Sequence, residues 1–279
     1  MSLPLAFLHG EFGRVGLVDM DSGLAPHVHR HSHFIFNISG GEVTFRIGGR
    51  DAVVSADTAL LIAPWRQHGW RGPAPGQGPV LFVTFYIEPG WLAGLAAREC
   101  GQARPPVAPH APEPVIPVTP DLKAMVHGLA DSLLAIHRDE AAAVKLVTAI
   151  CSLVARRHLA AGLAPDRVPR RLHDFRIRRA LARLDDPASG GRLDEIADEV
   201  GLSRSHFFAL FRRSTGFSPQ FYINVSRMES AIHGLVRTDA PLAELADSLG
   251  FSTQGNFTRF FRQQLGVTPD RFRSAATGI

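Results

Sequence analysis

The chain has 279 residues, 45% hydrophobic, 20% charged and 8% aromatic, which suits two domains with cores of their own and excludes a fibrous or disordered protein. No run approaches the roughly 18 uninterrupted apolar residues of a membrane span, and the start lacks the basic-then-apolar layout of a secretion signal, so a cytoplasmic chain without a membrane partner is expected. The net charge of +4 is concentrated: residues 1–169 carry 14 basic and 14 acidic side chains, while 170–279 carry 16 and 12, and all sixteen are arginine, whose planar fork suits phosphates and guanine edges.

From Gly13 to about Phe85, short apolar runs are broken by glycine pairs and read as antiparallel strands with tight turns. They include Val43 to Ile47 before Gly48-Gly49, Ala59 to Ala63, and Val80 to Ile87. Within this region His27, His29, His31 and His33 alternate, and on a strand residues two apart share a face, so all four are expected to point into one cavity. Pro64-Trp65-Arg66-Gln67-His68 adds a fifth histidine. Trp65 and Trp70 are candidate walls of that cavity, although each reads more readily as a core residue because aromatic residues dominate cores too; Arg46 or Arg66 is a nearby cation, a combination suited to an anionic or polar small molecule.

Seven prolines between Gln102 and Pro120 mark a boundary, with one extended piece at Val115 to Val118. Beyond it, Leu122, Met125, Val126, Leu129 and Leu133 recur at helical spacing, as do Val144, Val147, Ile150, Cys151 and Val154. These two amphipathic helices either pack on the sheet or form a dimer seam, and the dimer seam is preferred. Cys100 and Cys151 have no redox or zinc-type spacing and read as plain reduced thiols. Pro165 to Arg171 reads as a linker, followed by a helix from Phe175 to Leu184 that stops at the Asp185-Asp186-Pro187 turn.

The last third contains a repeat. Leu193 to Ser203 recurs as Leu242 to Ser252 at an offset of 49 residues; after one inserted residue the match continues at 50, pairing Phe207 with Phe257, Phe211 with Phe261, Gly216 with Gly266 and Pro219 with Pro269. Each copy has a short helix (Ile196 and Val200; Leu245 and Leu249), a glycine for a left-handed turn, a capping serine and a second helix. That is the helix-turn-helix layout, whose second helix enters the major groove of double-stranded DNA. A packing module with a solvated polar face is the alternative, and the second copy counts against it. Ser218-Pro219 starts a helix between the copies, through Met228 to about Val236, that fixes the spacing of two readers able to enter successive grooves.

Gly216-Phe217-Ser218-Pro219, Arg227, Gly250-Phe251, Phe257, Phe261 and Gly266 to Arg273 together resemble the AraC/XylS family of transcription regulators over about the last hundred residues. The resemblance implies that the first unit reads bases from Ser205, Phe208 and Ala209, and the second from Gln254, Gly255, Thr258 and Arg259; the polar helix faces themselves offer Arg204, Arg212 and Arg262 as further donors for phosphates and base edges. Phe208 and Ala209 can touch a thymine methyl but cannot make bidentate bonds, so the second unit is expected to carry most hydrogen-bonded specificity. RNA polymerase is an implied partner, and a homodimer is expected.

The histidine layout resembles cupin barrels, where H-x-H, a glutamate four residues later and a later histidine hold a metal. His27, His29 and His68 match ligand positions, and His33 stands where the glutamate would be. Three readings stay open: a metal-free effector pocket formed by His27, His29, His33, Trp65 and His68; a divalent transition metal held by His27, His29, His33 and His68; or structural histidines. Regulators of this family that carry such a barrel generally sense an organic molecule, so no cofactor is required and the first reading is favoured. The expected fold is α+β: a cupin-like sensory barrel (1–110), a helical linker and dimerisation pair (111–168), and an all-α domain with two helix-turn-helix units (169–279). With no nucleophile-base pair or phosphate loop, an enzyme is not expected. A metal-dependent cupin enzyme with a DNA-binding tail, and a constitutive DNA-binding protein, are the alternatives.

Overall fold

The structure is a computed structural model that describes residues 3–39, 41–74, 76–99, 113–159, 174–184 and 192–277. Cys100, the prolines before residue 113, the linker at 165–171 and the turn at 185–187 lie outside the described residues. Contacts divide the chain into two compact units, Met1–Pro165 with Arg262–Ile279, and Asp166–Phe261. The sequence reading places 262–279 with the last domain, whereas by contact they group with the first unit. Among the described residues no helix is long and apolar enough to cross a membrane.

The first unit is built on two antiparallel sheets. One has six strands: β1 (Leu3–Gly10), β2 (Gly13–Met20), β9 (Val80–Ile87), β4 (Ser32–Asn37), β7 (Thr58–Ile62) and β10 (Val115–Pro117), in that spatial order. The other has four: β3 (Leu24–His27), β8 (His68–Trp70), β5 (Val43–Ile47) and β6 (Arg50–Val54). Gly48 and Gly49 both take positive φ (54° and 88°) in the β5–β6 turn, the conformation a tight hairpin demands.

The six-stranded sheet is buried on both faces, which explains the continuous apolar run of β9. Phe34, Phe36, Val83 and Phe85 face a core completed by helices. Ile35 and Phe82 instead join Phe45, Leu60 and Trp70 in a second core. The helices are α1 (Pro89–Glu99), α2 (Pro120–Leu134) and α3 (Glu140–Val154), the last running into a π-helical turn at Ala155–Leu159. The Asp139 side chain caps α3 by accepting from the Ala142 amide at 3.0 Å.

The apolar stripes of α2 and α3, read from sequence as a dimer seam, are consumed inside this core. Leu122, Val126, Leu129, Val147, Ile150 and Val154 are all at most 1% exposed and cluster with the sheet residues. The segment assigned to a separate linker thus supplies an edge strand and two core helices, because a stripe this apolar is covered by the nearest apolar face. β1 and α1 were not read from sequence at all.

In the second unit, α4 (Phe175–Leu184), α5 (Leu193–Glu199), α6 (Arg204–Thr215) and the start of α7 (Pro219–Arg237) enclose a core of Ile177, Ile196, Phe207, Leu210, Phe211 and Ile223. α8 (Leu242–Ser248) and α9 (Gln254–Leu265) follow. α7 and α8 approach closely at Gly234, where a Cβ would lie 2.5 Å from Leu245 Cδ1. The last helix is α10 (Pro269–Thr277).

Candidate functional site

Two constellations carry chemistry. The first is the repeated turn between helices. After α5, Gly201 takes φ 69°, its amide donates to Asp198 O and the Leu202 amide donates to Ala197 O, both at 2.9 Å. After α8, Gly250 takes φ 74°, and the Gly250 and Phe251 amides donate to Asp247 O and Ala246 O, again at 2.9 Å. Two stretches of sequence thus build the same left-handed turn, bond for bond.

The second helix of each pair starts differently. Ser203 caps α6 by accepting from the His206 amide. In the second copy Thr253, not Ser252, accepts from the Asn256 amide at 3.1 Å, while Ser252 receives the Asn256 side-chain amide. The residue inserted between the copies falls at this junction, so the cap follows the offset of 50 rather than 49.

On α6, Arg204, Ser205, Ala209 and Arg212 are exposed, and Phe208 is half-buried against the core. Arg204 is held by an ion pair with Asp194 on α5, and its guanidinium lies 5.3 Å from the Phe208 ring centroid. On α9, Gln254, Gly255, Arg259 and Arg262 are exposed and Thr258 is half-buried. Among the described residues no ion pair engages Arg259 or Arg262. The α9 face therefore offers amide, hydroxyl and guanidinium donors at positions i, i+4, i+5 and i+8, whereas the first donor of α6 is already neutralised. Exposed Arg178 and Arg179 on α4, which the reading of readers alone missed, add positive charge to the second unit.

The second constellation lies within the first unit. A register irregularity between Leu24 and His27 turns the end of β3, and His27 pairs in register with His68 on β8. Gly69 permits this approach, since a Cβ there would meet Leu24 O and Pro26 at 3.1 Å. The His27 and His68 ring centroids are 4.4 Å apart, and His29, on the loop into β4, lies 4.9 Å from His68. One ring nitrogen from each of His27, His29 and His68 falls within 4.8 Å of the others. His33 on β4 sits beside them, 4.8 Å from His29 and 5.3 Å from His68, but outside that triplet.

The hydrogen bonds fix the ring protons. A carbonyl only accepts, so His68 Nδ1 donates to Arg66 O (2.8 Å), His33 Nδ1 to Phe85 O (2.9 Å) and His29 Nδ1 to His31 O (3.3 Å). In each ring Nε2 keeps its lone pair. Nε2 of His29 and of His68 are buried without a hydrogen-bond partner, a costly state for a polar atom. Burial, reinforced by the neighbouring histidines, pushes the pKa of His29 and His33 well below the ordinary 6.5 and that of His68 to about 3. The rings are neutral at physiological pH.

Three expectations are corrected. His31 does not share the triplet: its Nε2 lies 3.0 Å from Glu88 Oε1, because the chain between β3 and β4 is a loop and strict alternation fails there. Trp65 does not line the cavity; Trp70 does. Trp65 takes φ 62° in the β7–β8 turn and donates its amide to His29 O at 2.9 Å, anchoring the loop instead. The cavity's cation is Arg14 on β2, its guanidinium 3.9 Å from the Tyr86 ring centroid, and not Arg46, which pairs with Asp51, or the exposed Arg66. Tyr86, stacked on His33 at 4.2 Å, was also missed. The alternation of Phe82, Thr84 and Tyr86 on the inner face of β9 is the signal that locates it.

A sheet-built unit with an internal polar cluster, joined to a pair of helix-turn-helix units, defines the class of ligand-binding regulators of DNA. Residues 18–147 match the family model of an AraC-like ligand binding domain, and residues 196–275 match that of a helix-turn-helix domain. The chain is 32% identical over 88 residues to the probable transcription factor PqrA of Proteus vulgaris, covering 32% of this chain and 72% of that protein. It is 36% identical over 102 residues to the regulatory protein PocR of Salmonella typhimurium, covering 36% of this chain and 34% of that one. The chain thus spans only about a third of PocR's length, and 30% of that of the Msm operon regulatory protein of Streptococcus mutans. The chain belongs to the AraC family of transcription regulators. Its fold is that of ToxT from Vibrio cholerae, solved with an unsaturated fatty acid bound, at a TM-score of 0.61 and 11% identity over 98% of this chain and 97% of that one. The relatives are named as transcriptional regulators, a non-enzymatic role.

Proposed function

We propose that the chain is a cytoplasmic regulator that reads double-stranded DNA through α6 and α9 and senses a small molecule in the cavity of its first unit. The observation that carries the DNA reading is the duplicated turn: two exposed helices follow identical left-handed glycine turns, and the second presents Gln254, Thr258, Arg259 and Arg262. One such helix is common among packing modules, but two in register with exposed arginines match a double groove reader. In this reading α9 supplies most of the base discrimination. α6, with Phe208 and Ala209 in its reading face and Arg204 held by Asp194, contributes methyl contacts and backbone grip through Arg212.

The sensing role rests on the cavity, where the polar groups of His27, His33, His68, Tyr86 and Arg14 converge beside apolar walls that include Trp70. A few convergent polar groups in an apolar pocket suit a small organic effector with one polar or anionic end. RNA polymerase contact and a homodimer complete the reading; the dimer uses a surface other than the stripes of α2 and α3. Selection of binding sites from a random pool of duplexes by the purified full chain tests it. Enrichment of a motif with two parts about one helical turn apart is expected; a pool that stays random after repeated rounds overturns it.

A further inference from the structure

The polar cluster between β3, β8 and the loop into β4 has a feature that an organic effector alone does not explain. Two ring nitrogens, Nε2 of His29 and of His68, are buried with lone pairs and no hydrogen-bond partner, and both rings belong to the triplet that brings one nitrogen of each within 4.8 Å of the others. Repulsion between lone pairs and lost solvation both count against that arrangement. A cation accepts all the lone pairs at once.

The outer contacts fit a cation as well. A metal-ligating imidazole donates its other N–H to a carbonyl or carboxylate, which fixes the tautomer and aims the free nitrogen. His29 and His68 already make that bond to the carbonyls of His31 and Arg66, and Trp65 holds the His29 carbonyl from the other side. Tetrahedral bonds of about 2.1 Å set ligand nitrogens about 3.4 Å apart, so movements of about an ångström bring the triplet, now within 4.8 Å, to coordination distance. No carboxylate belongs to the triplet. A nitrogen-only set rejects magnesium and calcium, which take oxygen, and selects the later first-row divalent ions.

We propose that His27, His29 and His68 form a binding site for one late first-row divalent ion, zinc(II) or a near neighbour, with a fourth coordination position left for water or the effector, and that this ion is part of the signal sensed. The last clause rests on the reading of the chain as a ligand-responsive regulator; the site itself does not. By tying the end of β3 and the loop that follows it to the start of β8, about 40 residues further along the chain, the ion would favour one arrangement of the two.

The test is a titration of the full chain, stripped with chelator and desalted, with cobalt(II) as spectroscopic probe and zinc(II) as competitor. One equivalent of cobalt should bind with the visible bands of a four-coordinate nitrogen-rich site, and zinc should displace it. His29→Ala and His68→Ala should abolish the bands, and His137→Ala, on an exposed loop, should leave them unchanged. Because His29 and His68 are buried, the half-buried His27→Gln is the second variant. It should keep the metal-free melting temperature and weaken zinc by at least about tenfold, while zinc raises the melting temperature of the unaltered chain. No bands, or bands that persist in His29→Ala and His68→Ala, overturn the site. If the metal-free chain and His27→Gln bind selected duplex as the zinc-loaded chain does, the ion is no part of the signal although the site stands. If no duplex is ever selected, the regulator reading falls and the titration still decides the site.

Discussion

At the scale of single residues, chemistry was legible wherever side-chain type alone carried it. The histidine triplet was visible as H-x-H with a later histidine, and the structure brings His27, His29 and His68 together. What alternation could not show was where the strand ends: with β3 stopping at His27 and β4 starting at Ser32, His31 leaves the row and meets Glu88, 57 residues away. Alternation along β9 places Tyr86 on an inner face, but which side chains it and Arg14 meet is set by sheet order, which is not written in any local pattern. Asp174 illustrates a local effect the sequence does contain. Its side chain accepts from the Arg176 amide and guanidinium at the start of α4, and those bonds hold its pKa at about 2 against an ordinary 3.8. A carboxylate with a depressed folded-state pKa stabilises above its unfolded value, and that contribution is lost as pH falls through the folded one. Support for the first turn of α4 is therefore complete above about pH 4 and gone below pH 2. An NMR titration of the Asp174 carboxyl should find a midpoint near 2, and Arg176→Ala should return it towards 3.8; an unchanged midpoint in that variant would refute the assignment.

At the scale of elements, helices with capping signals were placed almost to the residue, and elements without them were missed. Ser218-Pro219 announces α7, and the Ser218 hydroxyl does accept from the Phe221 amide at 3.2 Å. Gly201 and Gly250 announce the two turns because only a residue without Cβ takes positive φ there cheaply. α1 carries Pro89, Gly90 and Gly94, which blur its period, and β1 has Pro4 and no alternation, so neither stood out. The inserted residue between the repeat copies shifted the second cap from Ser252 to Thr253, a slip of one position that the repeat alignment itself could have flagged. Ser218→Ala should cost about 1 kcal/mol of stability through the lost cap. Urea unfolding followed by far-UV circular dichroism measures it, and a cost indistinguishable from zero would mean that Pro219 alone fixes the start of α7.

For the whole molecule, the two kinds of unit were legible because a strand period gives way to a helical one along the chain. What covers an amphipathic stripe was not, since a sheet and a second protomer ask for the same residues; the core shows that α2 and α3 are spent on the sheet. The proposed function rests at this scale on an asymmetry between two copies of one motif. α9 presents Gln254, Thr258 and Arg259, whereas α6 presents Phe208 and Ala209 beside an arginine already paired to Asp194. The most direct test of that account is the affinity and base preference of the full chain on its selected duplex, measured by fluorescence anisotropy for Arg259→Ala, Phe208→Ala and Ala209→Ser. Arg259→Ala should cost about 1 to 3 kcal/mol and relax the preference at one base pair, with smaller changes in preference from the two α6 variants. A larger change in preference from Phe208→Ala or Ala209→Ser than from Arg259→Ala would contradict it and give the reading of sequence to α6.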